Sequence, residues 1–254
     1  HGIGAGDVNG DGSNDLVAGG TLYVNPASPG QPWPRRQLAG AQDVIQISPL
    51  IQNGWRSLVA IGESSLNLLR ANAPAGDSWS VRKLHSLPEG RTQGYTAVVA
   101  RDTTHLFFTH GTALCRRSMT GNEPGSWPLT TIRRDVQEEA GAAADLDDDG
   151  DTDLVVVDGD GRRLVWLDPG RETVVRKIGA SLRWIDRVAI GDLNGDRRKD
   201  IMFTEESRDG VHKARVVWLE APADLQHDVW KPHALGVLRS ANSLVIADLD
   251  ADGD

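Results

Sequence analysis

Short runs of apolar residues recur along the chain and are separated by Gly, Pro, Asp and Asn. The stretch 187–235 shows the pattern clearly, because "RVAIGD", "DIMFTE", "RVVWLE" and "WKPHAL" follow one another with turn-forming residues between them. Runs of about 4–8 residues rich in β-branched and aromatic side chains, bounded by such turn residues, indicate β-strands. No segment keeps the apolar spacing of an amphipathic helix. The sequence therefore predicts an all-β protein.

The strand pattern is repeated along the chain. The motif W-x-x-[RTH]-x-[LI] begins at Trp33, Trp79, Trp127 and Trp230, and Thr173 replaces the Trp in one further copy. Four short strands per repeat at a period of about 40–50 residues are typical of a β-propeller blade. Because the Trp residues recur at one blade position, we expect them to pack between blades. The predicted blades are 2–40, 42–88, 94–134, 140–179 and 184–237, followed by the opening strand of a sixth at 241–254.

A second motif, D-x-[DN]-x-D-x-x-x-D-[LI], occupies the link between the first two predicted strands of the first, fourth and fifth units. A fourth copy, "ADLDADGD", is cut off at the end of the chain. These four segments hold 16 of the 36 acidic residues and only 3 of the 27 basic ones. Carboxylates crowded this closely repel one another unless a cation lies among them. The net charge of −9 is therefore local to four loops.

The spacing of the motif suits Ca²⁺, which takes about six to eight oxygen ligands in a flexible cage. Side-chain oxygens at positions 1, 3, 5 and 9 and a backbone carbonyl at position 7 would supply them. Gly12 and Gly150 stand at position 6, where a sharp bend favours glycine, whereas Arg197 stands there in the fifth unit. The predicted ligands are Asp7, Asn9, Asp11, Ser13, Asp15, Asp145, Asp147, Asp149, Asp151, Asp153, Asp192, Asn194, Asp196, Arg198, Asp200, Asp248, Asp250 and Asp252.

Two alternatives to these calcium loops are weaker. An EF-hand would need Glu at the twelfth position and flanking helices, but that position holds Ala18, Val156 or Phe203 and the flanks read as strands. Solvated Asp/Asn/Gly turns would explain one such loop, but not three complete copies at matched places. The second and third units lack the carboxylates, so we expect no metal there.

Composition excludes several other classes of protein. No stretch approaches the ~18 uninterrupted apolar residues of a membrane span, so we expect no membrane insertion. Cys115 is the only cysteine, which rules out an intrachain disulfide and argues against a thiolate metal site. No basic stripe points to nucleic acid. The nucleophile-elbow, phosphate-loop and zinc motifs of common enzymes are also missing from the sequence.

Blades with such acidic loops resemble the FG-GAP/VCBS repeat family, which includes integrin-α-like propellers. "VVWLEAP" and "WKPHALG" resemble the third and fourth strands of its secreted branch, and "HGIGAGDVNGDG" resembles the propeller of aldos-2-ulose dehydratases. The resemblance implies an extracellular or periplasmic protein. Family propellers usually close with seven blades, so we expect residues 1–254 to form an open arc and the remaining blades of the same protein to complete it.

The candidate ligand site is the channel rim opposite the acidic loops. Its predicted loops hold carboxylates, His, Arg and aromatic residues, a mixture that suits sugar binding or acid–base chemistry. The fifth unit is the longest, and "TEESRDGVHKA" holds the extra length, which on a regular scaffold is often functional. The rim residues are His1, Glu63, Arg91, Tyr95, His110, Glu138, Glu139, Arg183, Trp184, Asp186, Glu205, Glu206, His212 and Arg239.

Among these rim residues, the catalytic candidates are Glu205, Glu206, His212 and Asp186, and the ligand-binding candidates are Trp184, Arg239 and Tyr95. A plainer reading of Glu205 and Glu206 is a solvated loop edge. Two functions stay open at this point. One is a secreted module that binds carbohydrate or protein; the other is a sugar-acting enzyme, a dehydratase or lyase, as the family resemblance implies.

Overall fold

The structure of the chain is a computed structural model. It describes residues 3–38, 44–52, 55–62, 65–72, 78–86, 92–100, 103–119, 127–168, 174–180, 183–206 and 213–248. Throughout these ranges the regular structure is β-strand, and no helix in them could span a lipid bilayer. The prediction of an all-β chain is confirmed.

Twenty strands in the described ranges form five sheets of four, one per predicted unit. The first sheet contains β1 Ile3–Gly6, β2 Asp15–Ala18, β3 Thr21–Tyr23 and β4 Arg35–Gln37. The second contains β5 Val44–Gln52, β6 Trp55–Gly62, β7 Ser65–Ala71 and β8 Trp79–Ser86, and the third contains β9 Thr92–Ala100, β10 Thr103–His110, β11 Ala113–Met119 and β12 Leu129–Arg134. The fourth contains β13 Val136–Ala144, β14 Asp153–Asp158, β15 Arg163–Asp168 and β16 Val174–Ala180, and the fifth contains β17 Trp184–Gly191, β18 Asp200–Glu206, β19 Ala214–Glu220 and β20 Lys231–Leu238.

Every sheet is an antiparallel meander, in which each strand pairs with the next one in the chain. The first strands of neighbouring sheets contact one another in chain order: β1 with β5, β5 with β9, β9 with β13 and β13 with β17. No comparable contact joins β17 to β1 among the described residues. The sheets are therefore blades of a β-propeller, and their first strands line its channel.

The hydrophobic core lies between blades. Four clusters of buried residues each join two neighbouring blades, and the fourth-strand Trp residues belong to them: Trp79 packs between the first and second blades, Trp127 between the second and third, and Trp230 between the fourth and fifth. Trp33, in the first blade, is 37% exposed. The predicted inter-blade packing is therefore confirmed for Trp79, Trp127 and Trp230. Each blade can bury its apolar face only against a neighbouring blade.

The segment after β20 was predicted to open a sixth blade. Its described part, 239–248, has no strand assignment, but it lies beside β17. Arg187 Nε donates to the Asn242 carbonyl at 3.0 Å, and Ile246 packs over Gly191, where a Cβ would come within 2.9 Å of Ile Cγ2.

Candidate metal loops and candidate ligand rim

The three complete acidic loops share one backbone architecture. The carboxylate at position 1 accepts hydrogen bonds from N–H groups near the loop centre: Asp7 from Gly12 at 3.1 Å, and Asp145 from Gly150 at 3.0 Å. Asp192 accepts likewise from Arg197 at 2.7 Å. The first carboxylate therefore folds the chain back over itself, which turns the following side chains inward.

The carboxylate at position 5 completes the turn in the same way in all three loops. Asp11, Asp149 and Asp196 accept the N–H of the residue two places on, at 2.8, 2.9 and 2.9 Å. Such Asx turns are the ordinary use of Asp in tight turns. The residues at position 7, predicted to offer their carbonyls, are thereby held beside the position-5 carboxylate.

The backbone takes a left-handed conformation at positions 4 and 6 of each loop. At position 6, φ is +89° at Gly12 and +90° at Gly150, and +70° at Arg197. A side chain in this region costs about 1–2 kcal/mol, so the fifth loop is strained where the other two hold glycine. At position 4, Asp148 has φ +57°, which Asp tolerates better than most residues.

The carboxylate at position 9 is buried and hydrogen-bonds to backbone on both sides. Asp15 is fully buried; its Oδ2 accepts from Val8 N and Asn9 N, both at 3.1 Å, and its Oδ1 accepts from Asn25 N at 2.8 Å. Asp200 is its counterpart in the fifth blade and accepts from Leu193 N at 3.1 Å and Ala221 N at 2.7 Å. This Asp joins its own loop to the chain that follows the third strand.

Position 9 of the fourth loop is Asp153, which is 2% exposed and accepts the N–H of Leu146 at 2.7 Å. The pKa of Asp153 is raised to about 6, chiefly by burial and also by the nearby Asp147 and Asp168 carboxylates, while hydrogen bonds from Trp166 and Leu146 oppose the rise. The acidic loop is therefore a place where negative charge is costly in the absence of a cation.

The fourth loop brings three carboxylates to one point. Ligand oxygens of Asp145, Asp147 and Asp149 all lie within 4.8 Å of one another, the one such group of three found in the described residues. Oxygens on opposite sides of a Ca²⁺ ion, each at about 2.3–2.6 Å, are separated by a similar span. The carboxylates present therefore fit a calcium ion.

The first and fifth loops carry Asn at position 3. Asn9 Nδ2 donates to Asp11 at 2.8 Å, and Asn194 Nδ2 donates to Asp196 at 3.1 Å, so the two side chains meet in each loop. In the fifth loop the Arg198 guanidinium also pairs with Asp196. These two loops bring the predicted side chains together with less negative charge than the fourth loop.

The remaining predicted metal ligands belong to the sixth unit. Asp248 is exposed, and Asp250 and Asp252 lie outside the described residues. Their role stays a prediction.

The candidate rim is at the opposite end of the blades from these loops, because the strands are antiparallel. In the fifth blade Gly191 pairs with Asp200 next to the acidic loop, whereas Trp184 pairs with Glu206 at the far end. Of the predicted rim residues, His1, Glu63, Arg91 and His212 lie outside the described part of the chain, and for Tyr95 the structure describes only the backbone, in β9.

The inner strands of the second to fifth blades bulge at their rim ends. The strand register shifts near Ile45 in β5, near Gly94 in β9, across 137–140 in β13 and at Asp186 in β17. A bulge re-aims side chains, and such irregularities are common beside functional sites. In the second and third blades the bulged residues are Ile45 and Gly94, but in the fourth and fifth they include carboxylates.

Those two bulges bring Asp186 and Glu139 into contact across the blade boundary. Their carboxyl groups hydrogen-bond to one another, and Arg187 Nη1 donates to Asp186 Oδ1 at 3.0 Å while lying 3.6 Å from Glu139 Oε2. The pKa of Asp186 is raised to about 7, chiefly by burial and also by Glu139 and Glu206, while Arg187 opposes the rise. The rim thus holds a carboxyl group that can carry a proton near neutral pH.

Glu205 does not lie on a solvated loop edge. It is 1% exposed within β18, and its two oxygens accept from the Arg215 guanidinium, one of them at 3.0 Å. The pair also raises the pKa of Arg215. A carboxylate held this way by a guanidinium is a structural anchor and is poorly suited to act as a base.

Glu206, by contrast, is exposed and lines a small pocket with Arg239. The other lining residues are Lys213, Ala214, Ser240, Ala241 and Asn242. Lys213 was not singled out from the sequence, although it lies within the segment "TEESRDGVHKA" that holds the extra length of the fifth unit. Arg187 and Arg215 were missed as well, because Arg residues within strand patterns read as solvent-facing.

Trp184 joins the fourth and fifth blades, and Arg183 joins two segments of the fifth blade. The Trp184 ring covers Gly161, where a Cβ would come within 2.1 Å of the indole, and Ile185 N donates to the Gly161 carbonyl at 2.8 Å. Arg183 Nη1 donates to the Lys213 carbonyl at 3.2 Å. Trp184 therefore packs against backbone on at least one face, which leaves less of the ring for stacking on a ligand.

His110 and Glu138 lie at the rim end of the third and fourth blades. His110 ends β10, and Glu138 lies in the β13 bulge, where its carbonyl accepts from Thr109 Oγ1 at 2.5 Å. That bond joins the two blades through backbone, so it explains the position of Glu138 without reference to a ligand.

Replacement of Asp186 by Asn should change how stability depends on pH. A carboxyl whose pKa is raised in the folded state binds more protons folded than unfolded, so its contribution falls as pH rises from about 4 to about 7. We expect Asp186→Asn to match the parent near pH 4 and to exceed its free energy of unfolding by about 1–3 kcal/mol at pH 8. Urea unfolding across this range measures the difference.

Glu220→Gln is the control of opposite sign. His233 and Lys231 hold the pKa of Glu220 below its usual value, so Glu220 stabilises the fold above its unfolded pKa and loses that contribution in acid. The Gln variant should therefore be less stable than the parent at pH 8. A stability difference for Asp186→Asn that does not change with pH would contradict the assignment.

Comparison with known proteins agrees with the repeat analysis. Residues 145–203, which span the fourth and fifth acidic loops, match the family of FG-GAP-like repeats. Residues 145–203 of this β-propeller therefore carry FG-GAP-like repeat sequence, and the predicted resemblance to that family is confirmed for this region. The finer resemblance to aldos-2-ulose dehydratases stays a prediction.

One solved structure that is similar to the chain is described as "NanB plus Optactamide". The similarity covers 76% of this chain at 14% identity, with a TM-score of 0.48. It covers 32% of that chain, so the present chain spans about a third of its length. None of the curated proteins matches.

Proposed function

We propose that this protein is a calcium-stabilised extracellular or periplasmic propeller that binds a carbohydrate or protein ligand on the rim opposite its calcium loops. The observation that carries the calcium assignment is the convergence of Asp145, Asp147 and Asp149. The match of this same region to FG-GAP-like repeats supports it independently. Residues of the first and fifth loops would hold further ions through the same turn architecture.

In this proposal calcium is structural. Each acidic loop closes the first hairpin of its blade, and in the first and fifth loops the position-9 carboxylate ties that hairpin to the chain after the third strand. An ion in the loop would neutralise the crowded carboxylates and fix the hairpin. The candidate ligand pocket lies at the other end of the blade, so the ion and the ligand would not share a site.

A calcium titration of purified, chelator-treated protein tests the assignment. We expect isothermal titration calorimetry to detect several calcium ions per chain, and one ion fewer when Asp147→Asn and Asp149→Asn are combined, because the fourth loop then lacks the charge to retain it. Asp224→Asn, an exposed carboxylate away from the loops, is the matched control and should leave the count unchanged. A calcium count that is the same in the double variant and the parent would refute the fourth-loop site.

An enzyme acting on sugars, by dehydration or lyase chemistry, is the second candidate. The observation that favours it is the Asp186–Glu139 carboxyl pair, which meets at two bulges and can hold a proton near neutral pH. Such a group could protonate a leaving hydroxyl as a general acid. Turnover of a ketosugar by the parent, lost in Asp186→Asn and retained in Glu220→Gln, would favour this candidate over the binding module.

A further inference from the structure

The pocket at the rim of the fifth blade is built from the ends of three strands and the link that follows them. Glu206 ends β18, Lys213 precedes β19, and Arg239 follows β20. Ala214 pairs with Leu238, so Lys213 and Arg239 continue from adjacent strands at the same end of the blade. The link through Ser240 and Asn242 then passes back toward the inner strand β17.

The pocket walls are fixed by arginines that do not themselves line it. Arg187 Nε donates to the Asn242 carbonyl at 3.0 Å, which ties the link to β17. Arg183 Nη1 donates to the Lys213 carbonyl at 3.2 Å, which ties the residue before β19 to the residue before β17. Both bonds join residues far apart in the chain, so the pocket shape is set by the fold.

The charges in this pocket are unbalanced. Among its described lining residues, Lys213 and Arg239 are basic and Glu206 is the one acidic residue. In the described part of the chain neither cation forms an ion pair. Two like charges on neighbouring strands oppose each other. An anion between them would relieve that repulsion, and a guanidinium beside an ammonium is a common way to hold a carboxylate.

The other lining groups bind hydroxyls. Ser240 Oγ donates to Asn242 Oδ1 at 2.9 Å, so the Ser240 oxygen, the Asn242 NH2 group and the Glu206 carboxylate offer a ligand both donors and acceptors. Among the described lining residues, Ala214 and Ala241 have the apolar side chains. Such a lining does not suit an aromatic or aliphatic ligand. It suits a small, hydroxylated molecule with one negative charge.

We infer that this pocket binds a sugar acid, with the carboxylate between Lys213 and Arg239 and the hydroxyls at Glu206, Ser240 and Asn242. The inference rests on the proposed function as a carbohydrate-binding propeller and specifies its ligand class. Selectivity follows from the geometry: a neutral sugar lacks the group that the two cations hold, and a simple carboxylate lacks the hydroxyls.

Calorimetric titration of the calcium-loaded protein with D-glucuronate, D-glucose and acetate tests this inference. We expect glucuronate to bind at least about tenfold more tightly than glucose or acetate, a difference of about 1.4 kcal/mol. Lys213→Ala and Arg239→Ala should each weaken glucuronate binding about tenfold or more. Both side chains are exposed, so the variants should fold like the parent.

Lys231→Ala is the matched control, since Lys231 is an exposed cation on the same blade that pairs with Glu220 away from the pocket. It should bind glucuronate like the parent. Equal affinities for glucuronate and glucose, or unchanged glucuronate binding in both pocket variants, would overturn the sugar-acid assignment. If glucose binds as tightly as glucuronate, the sugar-acid inference fails and the proposed carbohydrate function stands. If glucuronate binds selectively to a protein that binds no calcium, the sugar-acid inference stands and the calcium proposal fails.

Discussion

Removal of calcium is expected to lower the midpoint of thermal unfolding by about 15–30 °C. A site loaded at about 100 times its dissociation constant stabilises the folded state by about 2.7 kcal/mol, and three complete loops are present. In a chain of this size each kcal/mol corresponds to about 2–4 °C. Differential scanning calorimetry with and without a strong chelator measures the shift.

Calcium added back in excess should restore the midpoint, and magnesium should restore it less well. Magnesium requires near-octahedral ligands at about 2.0–2.1 Å, which a flexible carboxylate turn supplies poorly. The fall should also be smaller in the Asp147→Asn/Asp149→Asn variant, which has one site fewer to lose. A melt that the chelator leaves unchanged would show that the acidic loops are stable without a cation.

Replacement of Asp15 by Ala is expected to destabilise the protein by about 3–5 kcal/mol even when the chelator is present. The variant leaves three backbone N–H groups, those of Val8, Asn9 and Asn25, without their acceptor. A buried donor left unsatisfied costs about 1–3 kcal/mol. Chemical unfolding in chelator separates this structural term from loss of the metal.

Asp11→Ala is the matched control, because Asp11 is an exposed ligand candidate in the same loop. In chelator it should cost far less than Asp15→Ala, and in calcium both variants should lose the site. If the two variants cost the same in chelator, the position-9 carboxylate is only a ligand and its backbone bonds carry little stability.

Much of the fold could be predicted from the sequence because its signals are local and repeated. The strands follow from β-branched runs between turn residues, and the acidic loops follow from a nine-residue spacing that recurs three times in full. Trp127 and Trp230 recur at one blade position, so their burial between blades could be inferred from the period alone. Each of these features depends on residues that are close in the chain.

The candidate site was harder to predict, since its residues meet through tertiary contacts. Glu205 and Glu206 are neighbours in sequence, yet one is buried against Arg215 and the other lines the pocket. Strand alternation sends consecutive side chains to opposite faces, and only the packing of the fifth blade decides which face is covered. No local pattern distinguishes the two.

The sequence by itself determined the all-β repeat, the number of acidic loops and the residues that could hold calcium in them. Only the tertiary structure decided that Asp15 also binds the backbone at Asn25, and that bulges on two inner strands bring Asp186 against Glu139. The physical reason is that spacing along a chain specifies turns and strand faces. A bulge, or a hydrogen bond such as that from Asn25 N to Asp15, depends instead on which backbone groups lack a partner once the blades pack.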